Sequence, residues 1–197
     1  METVLLVRHA ESVYNARGLV NGDPTLPIGL TEEGERQARR LGELLAGGPL
    51  DLCVVTEFPR TQATADLALA GREVPRLVVP ELNDPDYGDF EGRPLKEYRA
   101  WLAGRRSGET VPGGSESRLE LVRRYARGFG IVLERPERRI LAVLHSLPLS
   151  YLLGALGGRD PAPRMELVGY AELHQASAGE LAGAVGRLEA WTRSPIW

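Results

Sequence analysis

Two of the three histidines in this chain close apolar runs. Val4-Leu5-Leu6-Val7 leads directly into Arg8-His9, and Ile140-Leu141-Ala142-Val143-Leu144 leads into His145. Arg60 follows a third such run, Leu50–Val55, and the acidic stretch from Glu81 to Gly92 follows a fourth, Leu77–Val79. Open α/β sheets bind ligands outside the carboxyl ends of their strands, so a parallel sheet would bring all four places to one edge. The chemistry of such a pocket is phosphoryl transfer. Guanidinium forks match phosphate oxygens, and a neutral imidazole can attack phosphorus. Neighbouring cations keep that imidazole neutral by lowering its pKa. A carboxyl group opposite can protonate the leaving oxygen and then take a proton from the attacking water. Arginine and imidazole supply the positive charge, so neither a metal nor a cofactor is expected, and the few His and Cys residues offer no metal set.

The elements that must position these groups are legible from pattern. The 197 residues, 43% hydrophobic and 26% charged, fit a single domain spanning 1–197 with a sizeable core. Apolar runs alternate with helix-like segments, which predicts an α/β fold: a three-layer α/β/α sandwich around a mostly parallel sheet. Thr3–Val7 reads as the first strand, followed by an irregular Gly-, Pro-, Asn- and Asp-rich loop to about Leu30. Thr31 caps a helix running to about Ala46, which Gly47-Gly48-Pro49 stops. A helix over Thr61–Ala70 follows the second strand, and Pro94 opens a helix with Leu95 and Tyr98 on one side. Residues 103–117 read as a flexible active-site loop or lid. A long helix is expected over about Glu116–Glu134 and another over Pro148–Leu156, and 170–176 and 180–188 are expected to pair as a hairpin.

The net charge of −3 gives no basic surface for nucleic acid. No apolar stretch reaches membrane-spanning length and nothing at the start reads as a signal peptide, so a cytoplasmic protein, monomer or homodimer, is the expectation. Cys53, the only cysteine, lies in an apolar run and reads as a core residue; Lys96 is the only lysine. In so arginine-rich a chain a lone surface Arg carries little weight. Arg105 and Arg106 either reach over the site to grip an anion or stand solvated. His174 falls in an edge strand without a role, and Trp191 and Trp197 read as packing anchors.

The segment Arg8-His9-Ala10-Glu11-Ser12-Val13-Tyr14-Asn15 resembles the Arg-His-Gly-x-Ser-x-x-Asn signature of the histidine phosphatase, or phosphoglycerate mutase-like, superfamily. Leu30-Thr31-Glu32-Glu33-Gly34-Glu35-Arg36-Gln37-Ala38 is similar to that family's Leu-Thr-x-x-Gly-x-x-Gln-Ala, and Arg60-Thr61-Gln62-Ala63-Thr64-Ala65 to its Arg-Ala-x-x-Thr-Ala. Tyr87-Gly88-Asp89-Phe90-Glu91-Gly92 resembles its aromatic-Gly element, and Pro112-Gly113-Gly114-Ser115-Glu116-Ser117 the Pro-Gly-Gly-Glu-Ser of its phosphatase branch. Each element alone is weak; their order and spacing make the resemblance specific, and it covers nearly the whole chain.

The resemblance implies roles. His9 would be the nucleophile that becomes phosphohistidine. Arg8, Arg60 and His145 would bind the phosphoryl group, with Asn15 and Ser146 shaping the pocket. The acid would be Asp84, four residues before Gly88, with Glu81 and Asp86 as rivals. Three departures stand out: Ala10 and Ser146 replace glycines after the two histidines, and Leu147-Pro148 make an apolar wall where mutases are polar. Ala10 would crowd the phosphate, and Ser146 would add a donor. The resulting expectation is a metal-independent phosphomonoesterase acting on small phosphorylated metabolites. A cofactor-dependent phosphoglycerate mutase is the alternative, and a catalytically idle phospho-ligand or protein binder the third reading.

Overall fold

The computed structural model describes residues 1–197. Its sheet has five strands: β1 (Thr3–Arg8), β2 (Leu52–Val55), β3 (Arg76–Val78), β4 (Arg139–Leu144) and β5 (Leu173–Ser177), in the order β3-β2-β4-β1-β5. The first four are mutually parallel and β5 runs antiparallel to β1. The central strands β1, β2 and β4 are buried along nearly their whole length, as continuous apolar runs in a parallel sheet should be.

Their side chains sort by strand alternation into two layers. Val4, Leu6, Leu52, Val54, Ile140, Ala142 and Leu144 face one core, closed by α5 (Arg118–Leu133), α6 (Ser146–Leu156) and α7 (Ala178–Arg193). Leu5, Val7, Cys53, Val55, Leu141 and Val143 face the other, closed by α2 (Glu32–Leu45) and α3 (Pro59–Ala68). The fold is therefore the expected three-layer α/β/α sandwich. Burial pushes the Cys53 thiol up to about 12, consistent with a core residue. A third, smaller cluster of Val20, Tyr87, Phe90, Tyr98, Leu102 and Val111 lies among the loops and α4 (Leu95–Leu102).

Local chemistry sets the joints. Thr31 caps α2 by accepting from the Gly34 N–H, while its own N–H donates to the Glu11 carbonyl. A side chain at Gly34 would collide with that carbonyl, so α2 can hold the turn after β1 only with glycine there. Gln37 completes the clamp by accepting from the Glu11 N–H at 3.0 Å.

The expected hairpin does not form. Residues Leu173–Val7 to Ser177–Thr3 pair β5 with β1 instead, and 180–188 lie inside α7. Ser177 and Glu180 form a capping box that starts this helix, and Leu181, Ala184, Val185 and Leu188 bury one helical face. The helix expected from Glu116 begins at Arg118, capped by Ser117 with Glu120, and the one expected from Pro148 begins at Ser146. The loop after β1 contains one short helix, α1 (Val13–Ala16). His174 sits on the edge strand β5, and Trp191 and Trp197 pack together, with centroids 5.7 Å apart.

Candidate active site

The carboxyl ends of β2, β4 and β1 stand side by side, with Arg8 paired to Leu144 across the β1–β4 ladder. His9 and His145 follow directly, and their rings meet edge to face with centroids 5.3 Å apart. His9 lines a cavity of about 290 Å³ whose walls also include Arg8, Asn15, Arg60, Asp84 and Ser146, whereas His145 lies behind it, completely buried and not part of the lining.

The His9 tautomer follows from its partners. Nδ1 lies 2.7 Å from the Ala10 carbonyl oxygen, which can only accept, so Nδ1 carries the proton. Nε2 keeps its lone pair, and the Arg60 Nε–H donates to it at 3.1 Å. Burial, then Arg60 and Arg8, hold the imidazole well below its usual pKa, which leaves it neutral. The Ala10 methyl is fully buried and does not line the cavity, so it does not crowd this space.

His145 is fully buried and fixed in the opposite tautomer. Arg60 Nη2 donates to its Nδ1 at 3.2 Å. Its Nε2–H donates to Thr56 Oγ1 at 2.9 Å, and the relay continues through Thr61 Oγ1 to the Phe58 carbonyl. Burial and then Arg60 depress its pKa well below the usual imidazole value.

Arg60 sits in the first turn of α3 behind Pro59, whose missing N–H costs nothing there. Its guanidinium lies against the Phe58 ring, 4.2 Å from the centroid, and donates to Asp84 Oδ2 at 2.7 Å. The opposite side donates to Asn21, whose amide is in turn anchored on Glu91. Arg8 donates to the Val168 carbonyl at 2.7 Å and stacks 3.8 Å from the Tyr170 ring centre. Its Nε is buried without a partner.

Among the three carboxylates considered as acid, only Asp84 reaches this cluster. Burial raises its pKa, against the lowering effect of Arg60. Asp86 is committed elsewhere, accepting from the Gly88 and Ser115 backbone N–H groups at 2.8 Å each. Burial pushes the Asp86 pKa up, but those hydrogen bonds outweigh it and hold the group low. Neither Asp86 nor Glu81 lines the cavity. Asn15, which lines the cavity, accepts from the Ser12 N–H and hydroxyl through Oδ1, so its Nδ2 donors are not used there. Ser146 Oγ accepts from the Val168 N–H at 3.0 Å, so its own proton is uncommitted.

No residue of 103–117 lines this cavity; Pro163–Leu167 and Tyr170 do. Ser107 ties the 103–117 segment to the chain terminus by donating to the Trp197 carbonyl, and Arg105 pairs with Glu109. The wall over the site is thus 163–170, pinned by Arg8, Ser146 and Ser150. Asn21, Tyr170 and Arg118, also in the cavity wall, carry no signal in the sequence, because they reach the site from loops and from the start of α5 rather than from strand ends. Only Glu91, inside a recognised motif, hinted at the Asn21 anchor.

Comparison with known proteins gives the family. The family model described as histidine phosphatase superfamily (branch 1) matches residues 4–189. The adenosylcobalamin/alpha-ribazole phosphatase of Salmonella typhimurium is 34% identical over 77% of this chain and 77% of its own length. A Yersinia enterocolitica protein named "Probable phosphoglycerate mutase GpmB" is 31% identical over 82% of this chain and 77% of its own. The crystal structure of the alpha-ribazole phosphatase from Shigella flexneri superposes with a TM-score of 0.76 at 31% identity, covering 88% of this chain and 89% of that one. With paired histidines and arginines at the strand ends and a match along almost its whole length, the chain belongs to the histidine phosphatase superfamily, branch 1.

Proposed function

We propose that the protein is a metal-independent phosphomonoesterase working through a phosphohistidine at His9. The observation that carries this reading is the unprotonated His9 Nε2, held by Arg60 in a residue that lines one cavity with Asp84, while Arg60 also meets Asp84 and His145. On binding, the phosphoryl oxygens take the N–H groups of Arg60, the free Nε–H of Arg8 and the Asn15 amide. Nε2 attacks phosphorus as the phosphorus–oxygen ester bond breaks, and protonated Asp84 gives its proton to the departing oxygen. Water then attacks the phosphohistidine, Asp84 takes one of its protons, the nitrogen–phosphorus bond breaks, and orthophosphate leaves with His9 restored. The oxygen charge that develops in each step faces fixed guanidinium groups in a largely buried site, where such donors stabilise it most.

A mutase would share the first half-reaction, and the relative named as a mutase keeps that reading in view. The apolar Leu147 in the cavity wall, where the family's mutases are polar, supports hydrolysis. The test is orthophosphate release from a panel of phosphomonoesters, alpha-ribazole 5′-phosphate included, in excess EDTA. Release that disappears in His9→Ala is the expected result. Interconversion of phosphoglycerates without net release would establish the mutase instead.

A further inference from the structure

The cavity holds more positive charge than one phosphoryl group needs. Five arginines line it, Arg8, Arg60, Arg99, Arg118 and Arg164, against the carboxylates Asp84 and Glu166. Arg60 and Asp84 are paired with each other, and Arg8 stands over the His9 side. Arg99, Arg118 and Arg164 make no ion pair.

Arg118 is the telling one. It is only 9% exposed, and a charge so buried ordinarily carries a carboxylate partner. Here its neighbours are phenols: Tyr151, whose hydroxyl is 3.2 Å from Nη1, and the ring of Tyr98 at 5.4 Å. Its Nε has no partner at all. Arg99 and Arg164 extend the positive field outward. They also line an adjoining depression with Arg17 and Lys96, and that depression contains no acidic residue. Leu95 and Leu102 belong to both spaces and form an apolar saddle between them. All this occurs in a chain whose net charge is −3.

We infer that the substrate carries a second anionic group, a carboxylate or a further phosphate, joined to the phosphomonoester through an apolar spacer. Arg118 binds that group with Arg99 and Arg164, and the spacer lies over Leu95 and Leu102. The inference rests on the phosphomonoesterase reading for its phosphoryl end. It also separates this protein from an enzyme for a simple nucleoside monophosphate, which would leave Arg118 without its counter-charge.

The experiment has two arms. In the first, kcat/KM is measured for alkyl phosphates of increasing chain length and for the same esters ending in carboxylate or phosphate. The expected preference for the doubly anionic ester is about tenfold or more at the best length, the scale of a charged hydrogen bond. It should reside mainly in KM. Arg118→Met should erase that ratio, Arg118→Lys should restore part of it, and the surface variant Arg99→Ala/Arg164→Ala should reduce it even if the buried substitution prevents folding. In the second arm, calorimetry compares alkylphosphonates with their ω-carboxy and ω-phosphono counterparts, which are not hydrolysed. Tighter binding of the doubly anionic phosphonates, lost in the arginine variants, supports the subsite even if no ester is turned over, an outcome that would overturn only the phosphatase reading. Equal affinity or no binding across the phosphonate pairs, or a specificity ratio that the arginine variants leave unmoved, overturns the second-anion subsite.

Discussion

At the scale of single residues, the decisive feature is that each imidazole has its proton assigned by a partner that can only accept or only donate. The Ala10 carbonyl fixes His9, and Arg60 fixes both His9 and His145. One guanidinium therefore sets two tautomers and touches Asp84 as well. Asp84 has the opposite bias: burial raises its pKa, so it retains a proton to higher pH than an exposed carboxylate would. Asp84→Asn should accordingly slow hydrolysis by about 10²-fold or more for an alkyl phosphate, within the usual reach of a positioned acid. An activated aryl phosphate should suffer far less, because its leaving oxygen needs no proton. For the alkyl ester the wild-type rate should fall as pH rises through the Asp84 pKa, and the variant should lose that limb. Leaving-group dependence appearing in Asp86→Asn instead would contradict the assignment.

At the scale of elements, what matters is how loops without regular structure are made rigid. Arg124 of α5, paired with Glu116 at 2.6 Å, donates to the Glu81, Asn83 and Asp84 carbonyls and so holds the loop that carries Asp84. Arg124→Met should lower kcat several-fold on the alkyl ester with a smaller effect on the aryl ester, the same pattern as loss of the acid in weaker form. Ser177→Ala, at the cap of α7 far from the site, should cost about 1 kcal/mol in denaturant unfolding and leave both rates alone. Rates that fell together with stability in the α7 variant would mean that the site tracks global rigidity rather than its own clamps.

The same contrast explains what the sequence could be made to yield. Arg8, His9 and His145 follow apolar runs whose pairing in a parallel sheet is nearly forced, so their convergence could be anticipated. The choice between Asp84 and Asp86 could not, since it turns on which carboxylate meets Gly88 and Ser115 across a loop. Tyr170 and Arg118 arrive by packing between segments distant in sequence. The hairpin expected in the tail is absent: small residues over 178–186 weaken the helical pattern, but the Ser177–Glu180 capping box and the spacing of Leu181, Ala184, Val185 and Leu188 specify a helix.

At the scale of the whole molecule, the fold keeps two neutral histidines buried at one sheet edge, and that has a thermodynamic consequence. Their folded pKa values lie below the unfolded value near 6.5, so the unfolded chain binds protons that the folded chain refuses. Their contribution to stability is intact above that pH and is lost as pH falls below it toward the folded values. Thermal unfolding should therefore show Tm declining from about pH 6.5 downward, before the ordinary carboxylates titrate. Saturating orthophosphate should raise Tm by binding only the folded state, and should blunt the decline by placing negative charge beside the His9 imidazole. A Tm that stays level from pH 7 to about 5 would mean that the histidines are not held neutral. No helix is long and apolar enough to cross a membrane.

The central claim is that phosphorus passes through His9, and the most direct measurement is to catch it there. Rapid mixing with a ³²P-labelled phosphomonoester, an alkaline quench and peptide mass spectrometry should find label that is stable to base, lost in acid, and located on the peptide containing His9. It should be absent from His9→Ala and should accumulate in Asp84→Asn, where the water step lacks its base, when an activated aryl ester supplies the phosphoryl group. Turnover without any labelled protein, or label on another residue in the wild type, would contradict the account.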